Sequence, residues 1–401
     1  MLSNRPDIRP ELGLRRVINV SGTMTSLGAS IVVPEAVERI GRILTEFVEI
    51  GDLHRKASAV IAAATGAEAG TITASASAGI SVAVAGCLTG ADLARIERLP
   101  DTDGLERDEV VIQMGHMVHY GAPVEQAIRL AGAKVVPVGT ATHARPYHLE
   151  GAIGPRTAAA VYVVSHHAVG YGQIPLPVFC RVCREKGVPV VVDAASEYDL
   201  KGFLAAGADL AIYSAHKFLG GPTAGIVAGR KDLVRAAYLQ NFGIGRGMKV
   251  GKEGIVGAMA ALEAWERRDH AAVRALERSH LALWQERLGA LPGLRVSVVP
   301  DPTQNPLERL KVEVVPEAAG TTAWALAAAL AAGEPPVIVR DHEVEHGHFY
   351  LDPCNLHPEE APIVAETIAR TLESIRGRPS PTLEDLRERA HWRLLAWPDP
   401  A

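Results

Sequence analysis

The chain has 401 residues, enough for a large buried core and, by length alone, for two domains. With 48% hydrophobic and 22% charged residues it is an ordinary globular composition, which excludes a disordered or fibrous chain. A formal net charge of −5 argues against nucleic-acid and anionic-membrane partners, and four cysteines at this length suggest no disulfide framework.

Residues 1–10 hold no apolar stretch able to act as a signal peptide, so the expected compartment is the cytoplasm. The expected division is an N-terminal arm and a segment packing on the small domain at 1–50, a large domain at 51–260 and a smaller domain with a tail at 261–401. Apolar runs predict strands at 70–74, 109–113, 134–138, 159–164, 188–192, 209–213 and 224–228. Most lack period-two alternation, as strands buried on both faces do. Helices fit between them, for example at 123–131 and 177–186. The uncharged run 69–91 is dense in Gly, Ser and Thr and reads as a strand plus a buried helix, not a membrane span. After Gly251 a long helix at 252–268 leads into strand-like segments at 294–299, 310–315, 337–340 and 348–351. Helices are expected at 322–332 and 362–375, with Val364, Ile368, Leu372 and Ile375 on one face. Beyond Arg378 a surface helix or arm is expected. The fold class is therefore α/β: a large domain with a mostly parallel seven-stranded sheet, plus a smaller α+β C-terminal domain.

The chemistry concentrates in Asp209-Leu-Ala-Ile-Tyr-Ser214-Ala-His216-Lys217-Phe-Leu-Gly220-Gly221-Pro222. An apolar strand runs into one lysine and breaks on Gly-Gly-Pro. Upstream, Val188-Pro-Val-Val-Val-Asp193-Ala-Ala-Ser196 ends a strand in a carboxylate 24 residues before Lys217. That distance suits one crossover between parallel neighbours. An acid at one strand end and a lysine after the next is how a protein holds pyridoxal phosphate (PLP): the lysine forms the Schiff base and the acid pairs with the pyridinium nitrogen. A carboxylate after four apolar residues is costly without such a cation. The bland alternatives are a strand-end surface lysine and an N-cap aspartate.

Ser75-Ala76-Ser77-Ala78-Gly79 follows the first large-domain strand and opens a helix, where small residues and free N–H groups make a phosphate cup. Ser214 offers a further hydroxyl, and Ser196 and His216 join the cofactor set by proximity in sequence. His116 and His119 lie just past a strand end, and one of them would stack on the pyridine face. His116 is favoured as nearer the strand, against a loop or core role. His166 and His167 follow the strand at 159–164 and are candidates to hydrogen-bond the cofactor's phenolic oxygen or, with His119, to serve as acid/base. Arg340 would clamp a substrate carboxylate in a bidentate pair, or lie at the surface. Glu197 and Arg246 complete the substrate candidates, and Arg246, Lys249 and Lys252 would serve a phosphorylated substrate. No metal is expected. His342-Glu343-Val344-Glu345-His346 matches a zinc-protease pattern but sits between two strands, as a hairpin would. Cys180-x-x-Cys183 lies inside a helix with no second pair.

These segments, with Val17-Ile-Asn-Val-Ser-Gly-Thr23, Gly66-Ala-Glu-Ala69, Tyr120-Gly-Ala-Pro-Val124, Gly220-Gly-Pro-Thr-Ala-Gly225 and Gly243-Ile-Gly-Arg246-Gly-Met-Lys249-Val-Gly-Lys252, resemble fold-type I PLP enzymes. The chain is most similar to the group that holds bacterial selenocysteine synthase (seryl-tRNA selenium transferase) and D-glucosaminate-6-phosphate ammonia-lyase. The resemblance runs from about Val17 to Ile375, and its last two segments favour the lyase side. It implies an aspartate aminotransferase-like fold, Lys217 as the cofactor's anchor, Asp193 as its pyridinium partner, and a homodimer or larger with shared active sites. Selenium transfer is disfavoured, since that branch carries a tRNA-binding domain ahead of the Val-Ile-Asn motif and tRNA binding wants a basic surface. The expected reaction is α-proton removal from an amino acid or amino sugar acid, then loss of a β-hydroxyl to give a 2-keto acid and ammonia. Racemisation or epimerisation, aldol cleavage, and a non-catalytic PLP-binding paralogue are the alternatives.

Overall fold

The computed structural model describes residues 7–399. Among them the strands are, in chain order, β1 (Ile18–Val20), β2 (Ala69–Thr73), β3 (Glu109–Gln113), β4 (Lys134–Val138), β5 (Thr157–Val163) and β6 (Val190–Asp193). They continue with β7 (Leu210–Ser214), β8 (Gly225–Gly229), β9 (Leu294–Pro300), β10 (Glu308–Val314), β11 (Val337–Val339) and β12 (His348–Leu351). The chain divides into two compact units: Ser30–Arg268, and the described residues up to Ala29 together with those from Asp269 on.

In the larger unit seven strands form one sheet in the order β2-β8-β7-β6-β5-β3-β4. The pairs from β4 through β7 are parallel, while β8 runs antiparallel to both β2 and β7. The seven predicted strands are all present. Helices cover both faces, which is why the strands are apolar on both sides. One face packs against Ile50–Thr65, Leu176–Glu185 and Lys252–Arg267 through Ile61, Phe179, Tyr213 and Leu262. The other packs against Ala76–Thr89, Val124–Arg129 and Lys231–Leu239 through Ile80, Val84, Ile112, Ile212 and Val227. The uncharged run 69–91 is β2 plus the buried helix Ala76–Thr89, and no helix among the described residues is long and apolar enough to cross a membrane. The helix Pro34–Ile43, within the segment expected to be an arm, packs on Lys252–Arg267 in this unit.

In the smaller unit β9, β10 and β12 make an antiparallel sheet, and β1 pairs in parallel with β11. The helices His270–Gly289, Ala323–Ala332 and Glu360–Ile375 close its core around Trp284, Phe349, Leu326 and Ile368. Trp284 fills that core because its indole N–H finds the Ala361 carbonyl at 2.8 Å. The tail helix Leu383–Ala396 is capped by Thr382 and Asp385 in a capping box and is exposed apart from the half-buried Leu383, Leu386 and Ala396.

Candidate active site

Strand register, not sequence proximity, assembles the site. Thr73 of β2 stands opposite Gly225 of β8, which stands opposite Ser214 of β7. Two residues back along β7, Ile212 pairs with Asp193 of β6, and Asp193 pairs with Val163 of β5. The end of β2 with its helix, the loop after β7 and the end of β6 therefore share one sheet edge. That is the edge at which parallel α/β sheets bind ligands.

Lys217 lies in the connection between antiparallel β7 and β8, so its loop is held at both ends. Its carbonyl accepts the Ser30 hydroxyl at 2.7 Å and the Gly220 N–H at 3.0 Å. Gly220 adopts φ +68, and a Cβ there would meet Val33 Cγ1 at 2.9 Å, so the turn demands glycine. Beneath the loop, Tyr198 packs on Phe218 and Trp265, and Arg268 lies over the Trp265 ring.

Asp193 is buried, and its side chain takes one hydrogen bond among the described residues, from the Ala195 N–H at 3.2 Å. Burial pushes its carboxyl up to about 6, with the Ala195 bond and the Lys217 charge pulling the other way. A buried acid this poorly compensated fits a cationic ring nitrogen.

At the end of β2, Ser75 is the N-cap of Ala76–Thr89 and accepts the Ala78 N–H at 3.1 Å. The N–H groups of Ala76 and Ser77 at the first two helical positions have no intrahelical acceptor. A Cβ at Gly225 would come within 2.2 Å of the Ser75 carbonyl, so the neighbouring strand presses against this turn. The Ser77 hydroxyl meets the Tyr120 hydroxyl at 3.0 Å. Burial raises the Tyr120 phenol, and Asp193 adds to the rise, which places Tyr120 within electrostatic reach of the acid. Tyr120 was missing from the residues singled out in the sequence. It lies 43 positions from Ser77 and 73 from Asp193, and its one signal was the Tyr-Gly-Ala-Pro segment.

Ser214 is buried at the end of β7, and its carbonyl accepts the Lys217 N–H at 3.4 Å. His216 pairs its Nδ1 with the Thr223 hydroxyl at 3.1 Å, and burial and Lys217 lower its pKa. Glu197 is buried and Ser196 half-buried in the turn after β6. His166 and His167 follow β5 with ring centroids 3.9 Å apart. His116 turns inward: it is buried, its Nδ1 accepts the Val163 N–H at 3.2 Å, and its ring meets the Tyr162 edge at 4.4 Å. Burial lowers its pKa to about 4. His119 is exposed on the same loop, beside Tyr120. Arg246 is exposed in the turn Ile244–Met248, Lys249 is exposed, and Lys252 donates to the Glu46 carbonyl and sits over the Phe47 ring.

In the smaller unit Arg340 follows β11 and is 9% exposed, which removes the surface alternative. The His342–His346 segment is a turn with a short 3₁₀ helix, bridged at its base by Arg340 and Tyr350, so its two histidines are not on one helical face. Cys180 and Cys183 are buried, with thiols raised by burial, Cys180 to about 11, which suits packing rather than reactivity.

Residues 17–283 match the family model described as SelA: L-seryl-tRNA selenium transferase. The chain belongs to this family. Over 368 residues it is 39% identical to D-glucosaminate-6-phosphate ammonia lyase of Salmonella typhimurium, covering 92% of this chain and 98% of the relative. The solved structure of a D-glucosaminate-6-phosphate ammonia-lyase superposes with a TM-score of 0.82 at 38% identity, covering 92% of this chain and 99% of that one. A Streptomyces 5'-C-glycyluridine monooxygenase-decarboxylase is 37% identical over 380 residues, 94% of each chain. Aspartate aminotransferase of Thermus thermophilus, at 18% identity and a TM-score of 0.54 over 92% of this chain and 98% of that one, shares the fold. The aminotransferase-like fold expected for family members is thus the fold of this chain.

Proposed function

We propose that the protein is a PLP-dependent lyase that eliminates ammonia from an amino sugar acid or related 2-amino-3-hydroxy acid. One observation carries this reading: the register that sets a buried acid, a lysine loop and a capped helix N-terminus on one sheet edge. The similarity to a D-glucosaminate-6-phosphate ammonia lyase over nearly the whole of both chains supports the reaction class.

The helix start at Ser75–Ser77 would take the cofactor's phosphate, Asp193 its ring nitrogen and Lys217 its aldehyde carbon. PLP supplies an electron sink that weakens the bonds at the substrate's α-carbon. The Lys217 amine would be the base for the α-proton. A histidine of the His119, His166 and His167 set protonates the departing β-hydroxyl, so water leaves. The enamine product tautomerises to an imine, and water adds to its C=N carbon to give a 2-keto acid and ammonia, so that one water lost and one gained balance the atoms. Arg340 is proposed for the substrate carboxylate, with Arg246 and Glu197 as further substrate ligands. A small-molecule substrate, a homo-oligomer and a cytoplasmic setting complete the reading.

A second reading, oxygen-dependent decarboxylation of an α-amino acid, is favoured by the 37% identity to the Streptomyces enzyme.

The test is the visible spectrum of the purified protein with PLP, before and after borohydride, for wild type and Lys217→Ala. D-glucosaminate 6-phosphate is then assayed for ammonia and 2-keto acid, with an oxygen electrode in the same vessel. A yellow wild type bleached by borohydride, a Lys217→Ala protein without that band, and ammonia without oxygen uptake support elimination. Oxygen uptake with carbon dioxide release moves the assignment to the second reading. A protein that stays colourless refutes both.

A further inference from the structure

Arg340 is a buried cation with no ion pair or side-chain hydrogen bond among the described residues. Two carboxylates lie close by, Asp352 and Asp301, and both are taken by a different arginine. Arg309 pairs through Nε with Asp352 Oδ2 at 2.8 Å and through Nη1 with Asp301 Oδ1. All three side chains are buried.

The fold dictates this choice. Leu310 pairs with Leu351 across β10 and β12, so the next position along the ladder sets Arg309 opposite Asp352. The second oxygen of Asp352 accepts the Cys354 N–H at 3.0 Å, and its backbone N–H reaches the Val20 carbonyl at 2.9 Å. Asp352 and Arg340 both border Gly22: a Cβ there would lie 2.9 Å from Asp352 Oδ2 and 3.7 Å from Arg340 Nη1. Gly22 holds φ +90, and its carbonyl is pinned by the Asn19 and Asn355 amides at 2.8 and 3.2 Å. The Val-Ile-Asn-Val-Ser-Gly segment therefore forms a wall against which acid and arginine stand side by side without joining.

We propose that Arg309 is a positioning residue: by binding Asp352 and Asp301 it keeps both carboxylates off Arg340, whose guanidinium stays open to a substrate carboxylate. This deepens the role given to Arg340 above and rests on it. Without Arg309, Asp352 is the nearest uncompensated anion and closes on Arg340, competing with the ligand. Asp301 is less disturbed, because it also accepts from the Thr303 hydroxyl and the Asn305 amide.

The experiment titrates the purified full-length protein with D-gluconate, which carries a carboxylate and no amine, and with neutral D-gluconamide, by calorimetry. The wild type is expected to prefer gluconate by about tenfold or more, and Arg340→Gln to abolish the preference. Arg309→Gln is expected to weaken gluconate binding by about tenfold, and the double variant Arg309→Gln/Asp352→Asn to return within about threefold of wild type. A merely structural Arg309 would weaken gluconate and gluconamide alike, because removing it strands a buried carboxylate; a loss confined to gluconate, with gluconamide affinity unchanged in Arg309→Gln, marks competition at Arg340. Asp352→Asn alone keeps the test decisive if Arg309→Gln does not fold: it is expected to bind gluconate as tightly as wild type or more tightly. Wild-type affinity in Arg309→Gln, no rescue in the double variant, weaker binding by Asp352→Asn, or no gluconate preference in the wild type overturns the proposal. None of these readings needs turnover, so colour, borohydride bleaching and ammonia release decide the lyase reading separately.

Discussion

The α-carbon of Gly225 backs directly onto the carbonyl of Ser75, so that a Cβ at position 225 would lie 2.2 Å from that oxygen. No side chain fits, and the strand that follows the Lys217 loop thereby fixes the turn that opens the helix Ala76–Thr89. Gly225→Ala must move one or the other. We expect a loss of about 2 kcal/mol or more from overpacking and a weaker hold on PLP. Thermal melts with and without PLP, together with a PLP titration, check this. Unchanged PLP affinity would separate the turn from the cofactor.

Asp193 gives the coenzyme-free protein a distinctive pH dependence. Its folded value of about 6 lies above the usual unfolded aspartate value of about 4, so the fold favours the protonated acid. Its stabilisation is complete below about pH 4 and is lost as pH rises through about 6, a change of about 3 kcal/mol at most. Urea midpoints between pH 4 and 7.5 should show this slope in wild type without PLP and lose it in Asp193→Asn. PLP should offset the loss in wild type alone.

His116 slopes the other way. Burial holds the ring neutral with a folded value of about 4, below the free value of about 6.5. Its contribution is present above pH 6.5 and is lost as pH falls through about 4. His116→Leu leaves the Val163 N–H unpaired and should cost about 1–3 kcal/mol. Denaturation of the variant at pH 7.5 measures it. A wild-type absorption spectrum in the variant would support a packing role over one on the ring face.

Tyr120→Phe deletes the hydroxyl that meets Ser77 at the helix start. We expect PLP affinity to fall by about threefold to tenfold, since a hydrogen bond to a group at a charged site is worth roughly 1 kcal/mol. Ser77→Ala should reproduce the loss, and the double variant should add little to either.

The large sheet was legible because its strands are short apolar runs bounded by Gly and polar turns, a pattern that burial on both faces requires. Lys217 and Asp193 were legible because a charged residue at the end of such a run is rare. β1 was not found: three residues long, it pairs with β11 more than 300 positions away. The inward turn of His116 was equally hidden, because only the path of β5 supplies the Val163 N–H that its ring accepts. Tyr120 and Arg309 owe their positions to cross-strand register and loop return, which leave no trace in local spacing.

The pairing of β1 with β11 also has a consequence for biosynthesis. Residues 30–268 are contiguous and complete as a unit while the partner of β1 is still untranslated. At ordinary elongation rates β1 waits roughly 15–60 s for β11 to be made. For roughly the last 3–14 s of that interval, once residue 268 has been made, a nascent chain carries one complete unit and an early strand whose hydrogen-bonding edge is open to the wrong partner. The smaller unit is therefore the part of this protein whose yield should depend most on translation speed and on chaperones that shield an unfinished edge.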